Sequence, residues 1–203
     1  MNGERAINMK KVFELIGTVV IAFAIAMFLK TTVFAIPEIR MNSMEDTLIQ
    51  GQRVLELKFT YGLNPPKRGD VIVLNKDNES QGFFFDYASE IKETYNIIRG
   101  KTVKNHLIKR VIGIPGDEIK IDGGKVYIND ESLEEAYIKG ETYADALEFP
   151  LIVPEGKVFV MGDNREVSLD SRQLGFIDYK QIEGKAVARI WPLDKLKIIK
   201  NER

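Results

Sequence analysis

The stretch LIKRVIGIPGDEIKIDGGKVYI, residues 107–128, decides the fold of this chain. In its second half, Ile119 and Ile121 alternate with polar neighbours, which is typical of a strand with one buried face. The residues Asp-Gly-Gly at 122–124 tolerate the positive φ angles of a tight hairpin turn. The stretch therefore predicts a strand (LIKRVIGI) followed by an antiparallel hairpin.

More short apolar runs lie between turn residues on both sides of this stretch. They are residues 53–57, 71–74, 157–161 and 185–191. With the hairpin, they predict a mostly β domain whose antiparallel strands form a barrel or a pair of packed sheets. Residues 75–105 are longer than an ordinary connection between strands, so we expect them to form an inserted lobe or flap.

Composition excludes several kinds of site. The 29 Lys+Arg residues balance 30 Asp+Glu residues, which argues against a nucleic-acid partner. The absence of cysteine excludes thiol catalysis and disulfides, and the single histidine, His106, excludes a multi-histidine metal centre. We therefore expect no metal and no cofactor. A chain of 203 residues is expected to form one main domain.

A long apolar run precedes the β-rich part. Residues 15–29 carry no charge, but as a helix they span only about 22 Å, less than the roughly 30 Å of a bilayer core. Extended to residues 12–36, with Glu14 and Lys30 near the ends, the run is long enough to cross a membrane with some tilt. We expect a transmembrane anchor at 12–36.

Basic residues before the anchor predict its orientation. Arg5, Lys10 and Lys11 place residues 1–11 in the cytoplasm by the positive-inside tendency, and residues 37–203 outside the cell membrane. Two alternatives remain. Small residues at 22–26 resemble a cleavage site, so the run could be a removed signal peptide. It could also be a buried core helix, although it is apolar on all sides.

The segment MNSMEDTL, residues 41–48, contains a serine about a dozen residues beyond the anchor. Ser43 and Asp46 fit the helix-capping pattern [ST]-x-x-[DE], which gives the serine a structural role. The alternative is a nucleophile held near a membrane.

Two further segments favour the nucleophile, and together the three resemble the type I signal peptidases, membrane-bound serine proteases that remove signal peptides from exported proteins. The family pattern S-M-x-P-T-L is matched from Ser43 except at its proline, and K-R-V-x-G-x-P-G-D is matched throughout residues 109–117. The pattern G-D-N-R-x-x-S-x-D-S-R is matched throughout residues 162–172. The resemblance covers the chain from the anchor onward and is weakest at 75–105.

The resemblance implies a role for each matched residue. Ser43 would be the nucleophile that forms an acyl-enzyme, Lys109 its general base, and Ser168 the residue that orients the lysine. The residues that would support the site structurally are Met44, Arg110, Asp163, Asp170 and Arg172. The substrates would be preproteins whose signal peptides end in small residues at the first and third positions before the cleaved bond. Apart from membrane lipid, no obligate partner is expected.

A lysine base must be unusual, because an ammonium with a pKa of about 10.4 cannot accept a proton at neutral pH. Burial disfavours the charged form and lowers the pKa. The apolar neighbours of Lys109 in its strand, among them Ile108 and Val111, provide such a setting.

The chain departs from the family pattern at three places. Asp46 replaces the proline, and Met41, two residues before the nucleophile, cannot donate a strong hydrogen bond to an oxyanion. The oxyanion would then rest on backbone N–H groups, chiefly that of Ser43. With the long 75–105 segment, these departures favour a specialised enzyme with a narrow client set, such as surface pilins. The aromatic residues within 82–99 predict either a flap that contacts membrane or substrate, or an ordinary packed lobe.

Three other functions compete with the signal peptidase interpretation. A catalytically silent relative would act as an assembly or chaperone factor for surface proteins, but Ser43, Lys109 and Ser168 are all present. A self-cleaving repressor-type Ser-Lys protease would have a DNA-binding helix-turn-helix where this chain has an apolar run. A Ser-His esterase based on His106 would need a G-x-S-x-G elbow, which this sequence lacks.

Overall fold

The computed structural model describes residues 9–58, 64–76, 95, 99 and 106–201. Nearly all of the expected inserted lobe at 75–105, and of the aromatic segment at 82–99 within it, lies outside the described residues.

The N-terminal helix, α1, runs over Met9–Thr32. Its 24 residues have a length of about 36 Å. Within it, Met9–Leu29 has a mean hydropathy of 2.5 and only 6% of its most apolar window is buried, so this helix is long and apolar enough to cross a membrane. The interpretation as a buried core helix is wrong, because the described body of the protein leaves most of its apolar side chains uncovered and buries only Met27 among them.

The body consists of antiparallel strands. In chain order they are β1 Phe34–Ala35, β2 Arg53–Leu57, β3 Val71–Asn75, β4 His106–Gly113, β5 Glu118–Asp122, β6 Lys125–Ile128, β7 Glu131–Ser132, β8 Leu151–Ile152, β9 Lys157–Met161, β10 Ile177–Asp178, β11 Ile182–Trp191 and β12 Lys197–Ile198. A short helix, α2, covers Ser171–Leu174, and 3-10 turns cover Tyr179–Gln181 and Leu193–Lys195. The prediction of a mostly β antiparallel fold with one N-terminal apolar helix is confirmed.

The strands form two sheets. The larger sheet has the order β1-β2-β11-β3-β4-β9-β10, with β12 beside β11, and the smaller has the order β7-β6-β5-β8. The hairpin is formed by β5 and β6, in which Ile119 lies opposite Ile128. Gly123 and Gly124 have φ angles of 54° and 79°, which satisfies the turn that the sequence predicts.

One apolar cluster joins the two sheets. Ile112 and Phe159 of the larger sheet pack with Ile119, Val126 and the loop residue Val153 on the side of the smaller sheet. Because both sheets bury apolar side chains in this cluster, the two sheets pack against each other.

Strand β4 lies in the middle of the larger sheet, between β3 and β9. Lys109 lies opposite Ile72 of β3, and Arg110 lies opposite both Val71 of β3 and Met161 of β9. Because the neighbouring strands cover both side chains, Lys109 and Arg110 are buried inside the protein, and each is about 1% exposed.

Candidate active site

Ser43 lies in a series of turns between β1 and β2, and no helix begins there. The residue after it, Met44, is buried in an apolar cluster with Leu48, whose N–H donates to the Met44 carbonyl at 2.7 Å. The Ser43 carbonyl accepts a hydrogen bond from the Asn164 N–H at 3.0 Å. The serine is thus fixed by its apolar neighbours and by the loop after β9, and the capping interpretation is wrong.

The side chains of Ser43 and Lys109 meet directly. Lys109 Nζ lies 2.6 Å from Ser43 Oγ, within hydrogen-bond distance, and both residues are buried. Lys109 is preceded and followed on its strand by Leu107 and Val111, which belong to one apolar cluster. A nucleophile and a base in contact, screened from water, form the arrangement required for activating a serine.

The pKa of Lys109 is lowered to about 8, chiefly because burial removes the solvation of the ammonium. The negative charges of Asp170 and Asp163 oppose this effect, and the positive charge of Arg172 adds to it. A pKa near 8 leaves a useful fraction of neutral amine in mildly basic solution.

Gly162 lies between Ser168 and the backbone of Ser43, close to both. A Cβ atom at Gly162 would be 2.2 Å from Ser168 Oγ and 2.4 Å from the Ser43 carbonyl oxygen. Ser168 Oγ favours the ionised form of Asp170 but forms no hydrogen bond of ordinary geometry within the described residues. Ser168 is therefore buried next to the nucleophile, with its hydroxyl near the Asp170 carboxylate.

Arg110 and Asp163 form a buried ion pair behind the nucleophile. Arg110 Nε and one terminal nitrogen donate to the two carboxylate oxygens at 2.9 and 2.7 Å. The Thr47 hydroxyl, four residues after Ser43, also donates to Asp163, and the ring of Tyr137 stacks on the guanidinium at 4.0 Å. These contacts hold the turns around Ser43 and the loop after β9 in one position.

Asp170 and Arg172 form a second buried pair. Asp170 caps α2 by accepting from the Arg172 N–H, and its carboxylate also accepts from the Arg172 side chain at 2.9 Å and from the Gly162 N–H at 3.0 Å. Burial alone would raise the pKa of Asp170, but the hydrogen bonds and charge of Arg172, together with the Gly162 N–H, lower it below its usual value. Asp170 is thus a fixed negative charge near Lys109.

A third buried ion pair in this region could not be predicted from the motifs. Arg165 pairs with Glu135 through both guanidinium ends, donates to Thr142, and donates from Nε to the Gly162 carbonyl at 3.0 Å. The matched motif includes Arg165, but Glu135 and Thr142 lie in a segment that carries no motif. Only a covariation signal across related sequences could have indicated this pairing.

His106 does not reach the nucleophile. Its Nε2 lies 3.2 Å from Glu183, and it is three residues from Lys109, about 10 Å along β4. The Ser-His alternative is therefore wrong. Within the described ranges, no group of three or more histidine and carboxylate side chains could hold a metal ion.

The family profile described as "Signal peptidase, peptidase S26" matches residues 12–191. The chain belongs to this signal peptidase family. A "Probable signal peptidase I-2" from Synechocystis sp. is 32% identical over 190 residues, which cover 93% of this chain and 78% of the relative. A "Signal peptidase I" from Leptolyngbya laminosa is 34% identical over 183 residues, which cover 90% of this chain and 81% of the relative.

A solved structure of a signal peptidase I from Enterococcus faecalis V583 is 28% identical, with a TM-score of 0.41 over 60% of this chain and 97% of that chain.

The resemblance to type I signal peptidases that the sequence predicts is confirmed. The protein is a serine endopeptidase of the signal peptidase family and acts on preproteins that carry signal peptides. The alternative of a catalytically silent assembly factor is not favoured. The exposed apolar helix α1 fits an enzyme attached to a membrane.

Proposed function

We propose that this signal peptidase cleaves preproteins with Ser43 as nucleophile and Lys109 as general base. The observation that carries the proposal is the 2.6 Å contact between Lys109 Nζ and Ser43 Oγ in a buried setting. Ser168, whose hydroxyl adjoins the site, would orient the lysine. The ion pairs of Arg110 with Asp163 and of Arg172 with Asp170, and the packed side chain of Met44, would hold these groups in place.

The reaction follows from these positions. Neutral Lys109 takes the Ser43 proton as Oγ attacks the carbonyl carbon of the last signal-peptide residue. The protonated lysine then gives its proton to the leaving amine of the mature protein, and an ester to Ser43 remains. A water molecule, deprotonated by Lys109, hydrolyses the ester and releases the signal peptide. Met41 provides no strong donor, so backbone N–H groups, chiefly that of Ser43, would stabilise the oxyanion.

The dependence of cleavage on pH tests the proposed base. Because only the neutral amine can accept the proton, kcat/KM of the free enzyme should rise with pH through an apparent pKa of about 8. Below that value the rate should fall about tenfold for each pH unit. The measurement is the initial cleavage rate of a preprotein at low substrate concentration across the pH range.

The His106→Asn variant serves as the control for this profile and should keep the same apparent pKa. A wild-type profile that rises instead near the ordinary pKa of histidine, about 6.5, and that is lost in His106→Asn, would contradict the role of Lys109.

The buried position of Ser43 supports a requirement for small residues before the cleaved bond. With the serine only 6% exposed, the reacting carbonyl must approach closely, in an extended segment that adds to a strand edge. Side chains at the first and third positions of such a segment point to the same face. Replacing either small residue by phenylalanine should therefore reduce cleavage at least about tenfold by steric exclusion.

A preprotein with phenylalanine at the second position is the matched control, because that side chain points to the opposite face and should be tolerated. Equal cleavage of all three phenylalanine substrates would contradict this substrate model.

We also propose a single membrane crossing in which residues 1–11 are cytoplasmic and 37–203 lie outside. Within the predicted anchor at 12–36, the part that crosses the bilayer is the helix, which ends at Thr32, because Phe34–Ala35 pair with β2 in the body. The basic residues before α1 and the exposed apolar surface of this helix support this placement, in which lipid surrounds α1 and no obligate protein partner is needed. Protease added to spheroplasts should remove a C-terminal epitope and spare an N-terminal one. A mature chain that begins within residues 24–27 would instead establish a cleaved signal peptide.

A further inference from the structure

A pocket lies between the C-terminal strands and the back of the active site. Its volume is about 120 Å³, and its polar wall consists of Thr47, Arg110, Arg189, Lys197 and Lys200. Among the described residues, no carboxylate lines it. The volume exceeds what a single water molecule requires, so the pocket has room for a tetrahedral anion.

For three of the four cations in this wall, no ion-pair partner is found among the residues that the structure describes. The charge of Arg110 is balanced by Asp163. Arg189 donates only to the neutral oxygens of Lys195 and Gln52, and no ion pair with a described residue is found for Arg189, Lys197 or Lys200. The pocket therefore holds a net positive charge.

The strand register brings two of these cations together. Arg189 of β11 lies directly opposite Lys197 of β12. Like charges in directly opposed positions of an antiparallel pair destabilise that pair. An anion between them would convert this repulsion into two favourable contacts. The third cation, Lys200, follows two residues after the end of β12 and lines the same pocket.

We propose that this pocket binds a phosphate group. The arginine fork and the lysine ammonium groups are the donors that proteins commonly use for phosphate, and a phosphate monoester carries up to two negative charges to meet the three unpaired cations.

The phosphate could belong to a soluble molecule or to the headgroup of a membrane lipid. Leu196 and Ile198 beside the pocket are exposed apolar side chains, so a phosphate carried on a lipid could reach it. The proposal is independent of the Ser43 and Lys109 mechanism, because the unpaired cations belong to neither the nucleophile nor the base.

The sole tryptophan, Trp191, provides a local probe, because it lies on β11 two residues after Arg189. The full chain, in an uncharged detergent, would be titrated with inorganic phosphate while Trp191 fluorescence is recorded. Control titrations with chloride and acetate at the same ionic strength distinguish specific binding from the general screening of charges by salt. We expect a saturable change with phosphate that neither of the other anions reproduces.

The Lys200→Gln variant should raise the Kd for phosphate about tenfold or more, because it loses one charge-assisted hydrogen bond. The double variant Lys197→Gln/Lys200→Gln should raise this Kd by at least the same factor. Lys125→Gln, an exposed lysine on β6 of the other sheet, is the matched control and should bind as the wild type does. Preprotein cleavage without phosphate should stay at the wild-type rate in every variant, which shows that each is folded.

Bilayers of phosphatidylcholine with and without phosphatidylglycerol distinguish the two sources. If the lipid supplies the group, phosphatidylglycerol should change the Trp191 signal of the wild type but not of the double variant, and should prevent the response to inorganic phosphate. If a soluble molecule supplies it, both bilayers should give the same phosphate titration. A response that never saturates, that acetate reproduces, or that the double variant retains would overturn the proposal.

Discussion

Replacing Ser43 by alanine, or Lys109 by methionine, is expected to reduce kcat/KM for a preprotein by a factor on the order of 10⁴ or more. The serine supplies the atom that forms the acyl-enzyme, and the lysine in contact with it supplies the base. Because the two act as one unit, the double variant should be little worse than either single one. The measurement is the cleavage rate at enzyme concentrations high enough to detect residual turnover.

The Lys109→Met variant tests whether the role of Lys109 is catalytic or structural. It keeps most of the volume of the lysine but removes an amine whose burial is costly, as its lowered pKa indicates. The thermal midpoint of Lys109→Met should therefore equal or exceed that of the wild type while cleavage is lost. His106→Asn should keep nearly full activity. Substantial cleavage by Lys109→Met would contradict the proposed base.

The sequence predicts those strands and turns whose residue pattern can be recognised within a few neighbouring positions. The hairpin of β5 and β6 combines apolar alternation with two glycines in the turn, so each strand and their register could be inferred. The two-residue strands such as β1 and β8 could not be predicted, because two residues cannot display a period and their pairing depends on distant neighbours.

The start of β11 shows how a local signal can mislead. The sequence predicts that this strand begins at residue 185, because glycine at 184 is typical of a turn before a strand. In the structure β11 begins at Ile182, and Gly184 lies within the strand. A Cβ there would be 2.6 Å from Glu56 Oε1 and 2.7 Å from the Leu57 carbonyl, so the glycine permits the close approach of β2.

The same limit applies to the site. The three motifs identify Ser43, Lys109 and Ser168, and the structure brings these residues to one place. The support of Asp163 by the Thr47 hydroxyl joins residues 116 positions apart, and no pattern in a single sequence indicates such a contact. The steric role of Gly162 was also missed, because Gly-Asp alone reads as an ordinary turn.

Gly162→Ala should both destabilise the protein and disable it. The new Cβ would be 2.2 Å from Ser168 Oγ and 2.4 Å from the Ser43 carbonyl oxygen, so the backbone of the nucleophile or the loop after β9 must move. Overpacking of this kind costs roughly 1–3 kcal/mol of unfolding free energy. A displacement of Ser43 by about 1 Å should reduce kcat/KM about 100-fold. Thermal unfolding and cleavage rates measure the two effects.

Control variants at two other glycines distinguish the loss of stability from the loss of cleavage. Gly184→Ala creates a similar clash on β11, which β3 separates from the strand of Lys109, and should lower stability while the folded enzyme keeps its cleavage rate. A Cβ at Gly17 in α1 meets no atom within 4 Å, so Gly17→Ala should lower neither stability nor cleavage. If Gly162→Ala behaved like Gly184→Ala, losing stability but cleaving normally when folded, then close packing of Gly162 against Ser43 would not determine the position of the nucleophile. A loss of cleavage confined to Gly162→Ala would indicate that the reaction depends on this contact.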